Sequence, residues 1–286
     1  MRRTSPRGTL AELLRRPRYE VFPVAGIGDE VVAHVPTEIE VAVTSSPTRG
    51  IEATLRLCEQ LAGAGYDVAP HLAARLVRDE EHLRDILDRL GEMGVSDVFA
   101  IAGDVGVPAG KFGGATALLA AMAQLGHGID QVGISGYPES HPFISDETTI
   151  QVMFDKEPFA TYIVSQLCLD AGVIAWWIGA VRARGVRLPI YVGIPGPVEG
   201  TRLLRIATKI GVGESKRFLR RHGGLLARLL LRGRYRPDAL IGHLTPEIAN
   251  PENRVAGFHV YTFNELEATE RWRREALSRL EGRRSA

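Results

Sequence analysis

Eight short runs dense in valine, isoleucine and aromatic residues punctuate this chain, and stretches of helical period separate them. The runs are YEVFPV (19–24), IEVAVT (39–44), YDVAPHL (66–72), DVFAIAG (97–103), QVGISG (131–136), YIVSQLC (162–168), LPIYVGI (188–194) and GFHVYTF (257–263). None shows the polar alternate face of a half-wet sheet. Runs of this kind need cover on both sides, as parallel strands flanked by helices have. Between them, Ile51, Leu55, Cys58 and Ala62 form one stripe, and Leu83, Ile86, Leu87, Leu90 and Met93 form another. Leu118, Leu119, Met122 and Leu125 form a third. Spacing of three and four residues gives each helix one face to lay on a sheet. Gly65, Gly94 and Gly185 follow helical patterns shortly before a strand, where a left-handed cap belongs. Asn264 and Glu267 have capping-box spacing ahead of the last helix.

Eight alternations without a long linker predict an α/β fold, a single (β/α)8 TIM barrel over residues 16–286. Residues 1–15 are read as a flexible or helical N-terminal extension. The stretch 198–256 is too long for one helix and predicts extra helices between the seventh and eighth strands, which shape one side of a barrel's mouth. A doubly wound open sheet is the rival, and it advertises a GxGxxG turn after its first strand. GIGDE (26–30) and GVGES (211–215) are incomplete versions, the first without a convincing helix after it.

With 35 Lys and Arg against 34 Asp and Glu, the chain has no global field to attract nucleic acid. No run has the length of a membrane span, and the basic start MRRTSPRG lacks a signal sequence's apolar core. LLARLLLRGRYR (225–236) is the segment nearest to an interfacial helix, since it mixes leucine with arginine, but barrel helices also need leucine on one face and charge on the other. Cys58 and Cys168 sit in apolar runs and read as buried thiols. The expectation is a cytoplasmic protein with no nucleic-acid or membrane partner, its state as monomer or homo-oligomer left open.

A barrel's active site collects residues from strand ends, so polar residues within or just after apolar runs are the candidates. Glu20 sits among Tyr19, Val21 and Phe22, where partial burial raises a carboxyl's pKa toward that of a general acid; an edge arginine as its partner is the bland alternative. Thr44 and His71 close the second and third runs, Gly103 and Asp104 the fourth, and Tyr137, Glu139 and His141 follow the fifth. Asp104 is not followed by a strong helix, which disfavours a cap. Gln166 lies inside the sixth run and needs a hydrogen-bond partner. His71 and His141 lie near acidic residues, but no HExxH or cysteine pair is present, so no metal is expected. No GxSxG elbow is present.

Taken in order, YEVFP (19–23), VAVTSSPTRG (41–50), APHLAAR (69–75), AGDVGVPAGKF (102–112), ISGYPESHP (134–142), SQLCLD (165–170), GIPGPV (193–198) and HVYTFNELE (259–267) resemble the methylenetetrahydrofolate reductase family. The resemblance implies a barrel that reduces 5,10-methylenetetrahydrofolate to 5-methyltetrahydrofolate, a one-carbon reaction on the way to methionine. It implies Glu20 as general acid, Asp104 against the pterin and Gln166 on the folate. Thr44, His71, Gly103, Tyr137, His141 and Lys156 match positions of the family's flavin pocket. Typical members pass hydride from NADH or NADPH through FAD. This chain departs from them: Val-Phe-Pro-Val follows Glu20 where Phe-Phe-Pro-Pro is typical, Ala102 replaces the arginine before the Gly-Asp pair, and Lys156 fits only with a shift. In this it resembles the short, divergent actinobacterial-type branch. The expectation is a protein with little or no FAD that takes hydride directly from NADH, with NADPH the alternative donor. Competing readings are another folate- or pterin-handling barrel, such as a methyl transferase, and a non-catalytic folate-binding protein. The latter has no use for a proton donor at Glu20.

Overall fold

The structure is a computed structural model and describes residues 6–139, 146–209 and 233–282. Eight parallel strands form a closed barrel: β1 (Arg18–Val21), β2 (Glu40–Val43), β3 (Val68–Ala73), β4 (Asp97–Ile101), β5 (Gln131–Gly136), β6 (Tyr162–Ser165), β7 (Ile190–Pro195) and β8 (Val255–Tyr261). The ring closes because β8 pairs in parallel with both β7 and β1, with Glu20 opposite Tyr261. This is the expected (β/α)8 barrel, and each strand falls within or overlaps its predicted run. Strands are shorter than the apolar runs, however. β1 stops at Val21 and β6 at Ser165, so Phe22 and Gln166 already belong to the mouth loops.

The helices are α1 (Pro6–Arg15), α2 (Ile27–His34), α3 (Gly50–Gly63), α4 (Glu80–Glu92), α5 (Ala115–Leu125), α6 (Asp146–Lys156), α7 (Ala171–Ala183), α8 (Gly200–Lys209), α9 (Asp238–Ala249) and α10 (Leu266–Gly282). The predicted stripes are the buried faces: Leu83, Ile86, Leu87 and Leu90 of α4 are all inside. Gly65, Gly94 and Gly185 all adopt positive φ, as helix-ending glycines should. Of the adjacent tryptophans on α7, Trp177 is buried and Trp176 is exposed. Cys58 and Cys168 are buried free thiols. Among the described residues no helix is long and apolar enough to cross a membrane. The extra helices after β7 include α8 and α9, together with a two-stranded ribbon of Val198–Glu199 and Arg234–Tyr235. GVGES (211–215) lies outside the described residues, as does much of the basic stretch 225–236.

Two local expectations are corrected. GIGDE does open a helix: Gly26, at φ 77°, turns the chain into α2 without a side-chain cap, so the usual start signal is absent. Asn264 does not cap α10. It lies at φ 63°, and its side chain grips the backbone of Phe22, accepting from the Phe22 N–H at 2.9 Å and donating to the Phe22 carbonyl at 3.2 Å. The amide thus ties the end of β8 to the end of β1 at the mouth.

Strand residues two apart share a face, so Arg18 and Glu20 both point inward, Arg18 a layer nearer the N-terminal end. The Arg18 guanidinium lies between the rings of Tyr162 and Tyr191, 4.1 and 4.2 Å from their centroids. It reaches Asp97 at 2.7 Å and Glu40 at 3.0 Å, and the Tyr162 hydroxyl donates to Asp97 at 2.7 Å. Burial pushes the Glu40 carboxyl up to about 8 against the pull of Arg18, and Asp97 pushes it the same way. Two buried carboxyls thus crowd one arginine, which favours a proton on the pair. Glycines make the room: a Cβ on Gly133 would meet the Tyr162 ring at 2.4 Å, and one on Gly257 the Tyr191 ring at 2.8 Å. Gly133→Ala is therefore expected to destabilise the barrel by about 1–3 kcal/mol, the usual cost of overpacking. A urea midpoint equal to the parent's would contradict this packing.

Candidate active site

Glu20, Thr44, His71, Gly103, Asp104, Tyr137 and Gln166 line one cavity of about 270 Å³. They come from the C-terminal ends of, or the loops after, six successive strands, where a barrel places its chemistry. Phe22, Phe99, Tyr261 and Phe263 supply apolar walls.

Glu20 is buried deep in the cavity. Its Oε2 lies 3.1 Å from His259 Nε2 and 3.8 Å from His71 Nε2. Its partner is therefore histidine, not an edge arginine. Its carbonyl accepts from Thr262 Oγ1 at 2.5 Å, which fixes the strand end that carries it. Burial acts to raise the Glu20 carboxyl, as expected, but the hydrogen bond to His259 and the charges of His71 and His259 act the other way and prevail. The carboxyl lies below its ordinary value rather than above it. Burial holds His71 down at about 4, only partly offset by Glu20, so its imidazole is neutral at neutral pH. The His259 hydrogen bond is then the influence on Glu20 that persists there. The His71 ring leans on Phe99 at 4.7 Å, and His71 Nε2 is buried without a hydrogen-bond partner.

Asp104 is exposed at the rim, and α5 starts only at Ala115, with Gly114 in the cap position. It is not a helix cap. Gln166 spends its amide oxygen on the Leu167 N–H at 2.8 Å, which supplies the partner its position required and leaves the NH2 end for a ligand. Thr44 is anchored through its carbonyl, which accepts from Thr54 Oγ1 at 3.0 Å. Burial raises the Tyr137 hydroxyl. His141 lies outside the described residues, and Lys156, at the end of α6, does not line the cavity.

The polar character of the lining bears on cofactors. Among the described residues that line the cavity, no arginine or lysine is present, whereas Glu20 and Asp104 are both acidic. Cations that would have to replace the missing arginine at position 102 are engaged elsewhere. Arg75 donates to the carbonyls of Gly113 and Val105 at 3.0 and 3.1 Å. Lys111 pairs with Glu80. Arg182 is buried beneath β7, donating to the carbonyls of Asn253, Val186 and Leu188. A flavin dinucleotide's pyrophosphate needs charged or convergent donors to replace its water. The described residues do not fit that group.

His259 is the site residue that sequence reasoning missed. Its signal was parity: in GFHVYTF, residues 257, 259 and 261 share the inward face, and Tyr261 lines the cavity.

The fold is similar to that of an uncharacterized protein from Clostridium thermocellum that binds two copies of 5-methyl-5,6,7,8-tetrahydrofolic acid. The two are 11% identical with a TM-score of 0.65, over 93% of this chain and 97% of that one. Dihydropteroate synthase from Thermus thermophilus matches at 13% identity with a TM-score of 0.45, over 94% of this chain and 95% of the other. At 11% identity the first of these likenesses is one of fold. In sequence, a family model for methylenetetrahydrofolate reductase matches residues 29–274, from α2 through seven of the eight barrel strands into α10, and the chain belongs to that family.

Proposed function

We propose that this protein reduces 5,10-methylenetetrahydrofolate to 5-methyltetrahydrofolate with hydride taken directly from NADH. The observation that carries the reading is a barrel-mouth cavity holding two carboxyls, an amide and no lysine or arginine among its described lining, in a chain of this family. Such a cavity suits a reaction that develops positive charge on its substrate.

A methylene carbon bridging two folate nitrogens accepts hydride poorly. Protonation of one nitrogen opens the ring and leaves an iminium cation on the carbon, which accepts hydride readily. Glu20 supplies that proton. It lies before the residues matched by the family model, so its role rests on its place in the cavity and on the YEVFP resemblance. A pterin seated over Glu20 removes the remaining water, and desolvation shifts the carboxyl toward its protonated form. His259 holds the carboxylate in position through the 3.1 Å contact. Asp104 stabilises the cation electrostatically, and the Gln166 amide orients the pterin so that its carbon faces the donor. NADH leaves as NAD⁺, and proton and hydride together account for the two hydrogens gained.

NADH oxidation followed with and without methylenetetrahydrofolate, in the presence and absence of added FAD, tests the activity. Absence of folate-dependent oxidation in every condition across a range of pH would sink the reading. The purified protein is expected to show no flavin band in the visible. Loss of one charge-assisted contact costs about 1.5–3 kcal/mol, or roughly ten- to a hundredfold in affinity. Stoichiometric flavin that NADH reduces and the folate reoxidises would overturn direct transfer. Asp104→Asn is expected to lower kcat/KM for the folate by about ten- to a hundredfold, the equivalent of one charged interaction, with little change in melting temperature. A larger effect on melting than on kinetics would make Asp104 a structural residue.

A further inference from the structure

The geometry points to a binding site for a divalent transition ion of the zinc type, formed by Glu20, His71 and His259, whose occupation shuts off proton delivery by Glu20. All three side chains are buried, and their ligand atoms lie within 4.8 Å of one another. The carboxylate Oε2 is 3.1 Å from one imidazole Nε2 and 3.8 Å from the other. Zinc bonds of about 2.0–2.2 Å at tetrahedral angles place neighbouring ligand atoms about 3.3–3.6 Å apart, within about half an ångström of both Glu20–histidine separations, while the two imidazole nitrogens, within 4.8 Å of each other, draw together by at most about 1.5 Å to close the triad on an ion.

An independent observation points the same way. His71 is 96% buried, since only 4% of its surface is exposed, and its Nε2 has no hydrogen-bond partner while facing Glu20 Oε2. A buried imidazole nitrogen without a partner is costly, and a metal ion would satisfy it. Two neutral nitrogens and one carboxylate oxygen form a donor set that zinc and cobalt accept. Glu20 and His71 line the cavity, so a fourth position would open onto the space where substrate enters.

The sequence did not reveal this grouping because its members come from β1, β3 and β8, and His259 stands 239 positions after Glu20. Spacing rules find ligands that share a helix or a loop, and none of these do. The consequence for activity follows from charge: a dication held on Oε2 keeps Glu20 as the carboxylate, which then has no proton to deliver. This inhibitory half rests on the reductase reading, whereas the binding does not.

The test uses the full chain, freed of metal with a chelator and titrated with Co²⁺ in the absence of folate and NADH. The expected result is an intense visible band of low-coordinate cobalt that saturates at one ion per chain and disappears on adding Zn²⁺. Glu20→Gln, His71→Asn and His259→Gln should each weaken uptake by tenfold or more, with folding checked by circular dichroism. A parent spectrum that stays that of aqueous Co²⁺ overturns the site without recourse to any variant, as does uptake that all three folded variants retain. In the reductase assay, stoichiometric Zn²⁺ should lower turnover at least tenfold, and chelator should restore it. Full turnover with the site loaded overturns the inhibitory half alone. A parent with the cobalt band but no reductase activity upholds the site and condemns the reductase reading instead.

Discussion

Glu20→Gln is expected to lower turnover by about 100- to 10,000-fold, the range for loss of a general acid. The amide keeps the shape of the carboxyl and can still accept the hydrogen bond from His259, so the cavity wall is preserved. Folate affinity should change little, because the lost interaction is made only once the proton moves. Stopped-flow measurement of NADH oxidation beside equilibrium binding of the folate separates these quantities. Turnover within threefold of the parent would remove Glu20 from the chemistry. Weakened folate binding with unchanged turnover of bound substrate would recast it as a positioning residue.

Arg18→Met has the largest expected effect on stability, a loss of about 3–5 kcal/mol, the penalty for leaving buried charges without their partner. Asp97 and Glu40 would then lose the cation they share, and the space between Tyr162 and Tyr191 would no longer hold a charge to balance them. Glu40→Gln should cost far less, since the folded protein already holds a proton on this carboxyl. Its pKa is raised to about 8 from an ordinary 4.5, so the folded state binds the proton more tightly than the unfolded one. The stability this supplies is fully present below about 4.5 and is lost as pH rises through 8. The melting temperature of the parent should fall as pH rises from about 4.5 to about 8, and that of Glu40→Gln should be flatter over the same range. Parallel curves for the two proteins would place the proton elsewhere.

The barrel was legible because its strands are covered on both sides and cannot hide their apolar density. The mouth was legible for a different reason: polar residues such as His71 and Gln166 interrupt that density at strand ends, where an apolar residue would serve packing better. What escaped notice lay where local pattern and tertiary use diverge. Arg18 and Asp97 stand at strand beginnings, away from the strand ends where candidates were sought, yet the ring of strands turns both inward. His259 sits in a run dominated by its aromatic neighbours. Asn264 carries a helix-start spacing, but the closure of β8 on β1 claims its side chain for Phe22. In each case the deciding contact joins residues far apart in sequence.

That closure also fixes an order of events during synthesis. Helix α1 packs against α9 and α10, Arg273 donates to the carbonyls of Leu14 and Arg15, and Arg15 pairs with Glu281 at 2.7 Å. The first strand made therefore has one of its two neighbours only when the last strand is made, and α1 has its packing partners no earlier. At about 5–20 residues per second on the ribosome, β1 waits roughly 10–50 seconds with an open edge. Glu20 and its histidine meet only after that wait, so a nascent or truncated chain lacking β8 holds no assembled active site however well its earlier strands have formed. Linking α1 to α10, which pack against each other, and opening the chain in another loop would move the delay to a different strand and leave the finished site unchanged.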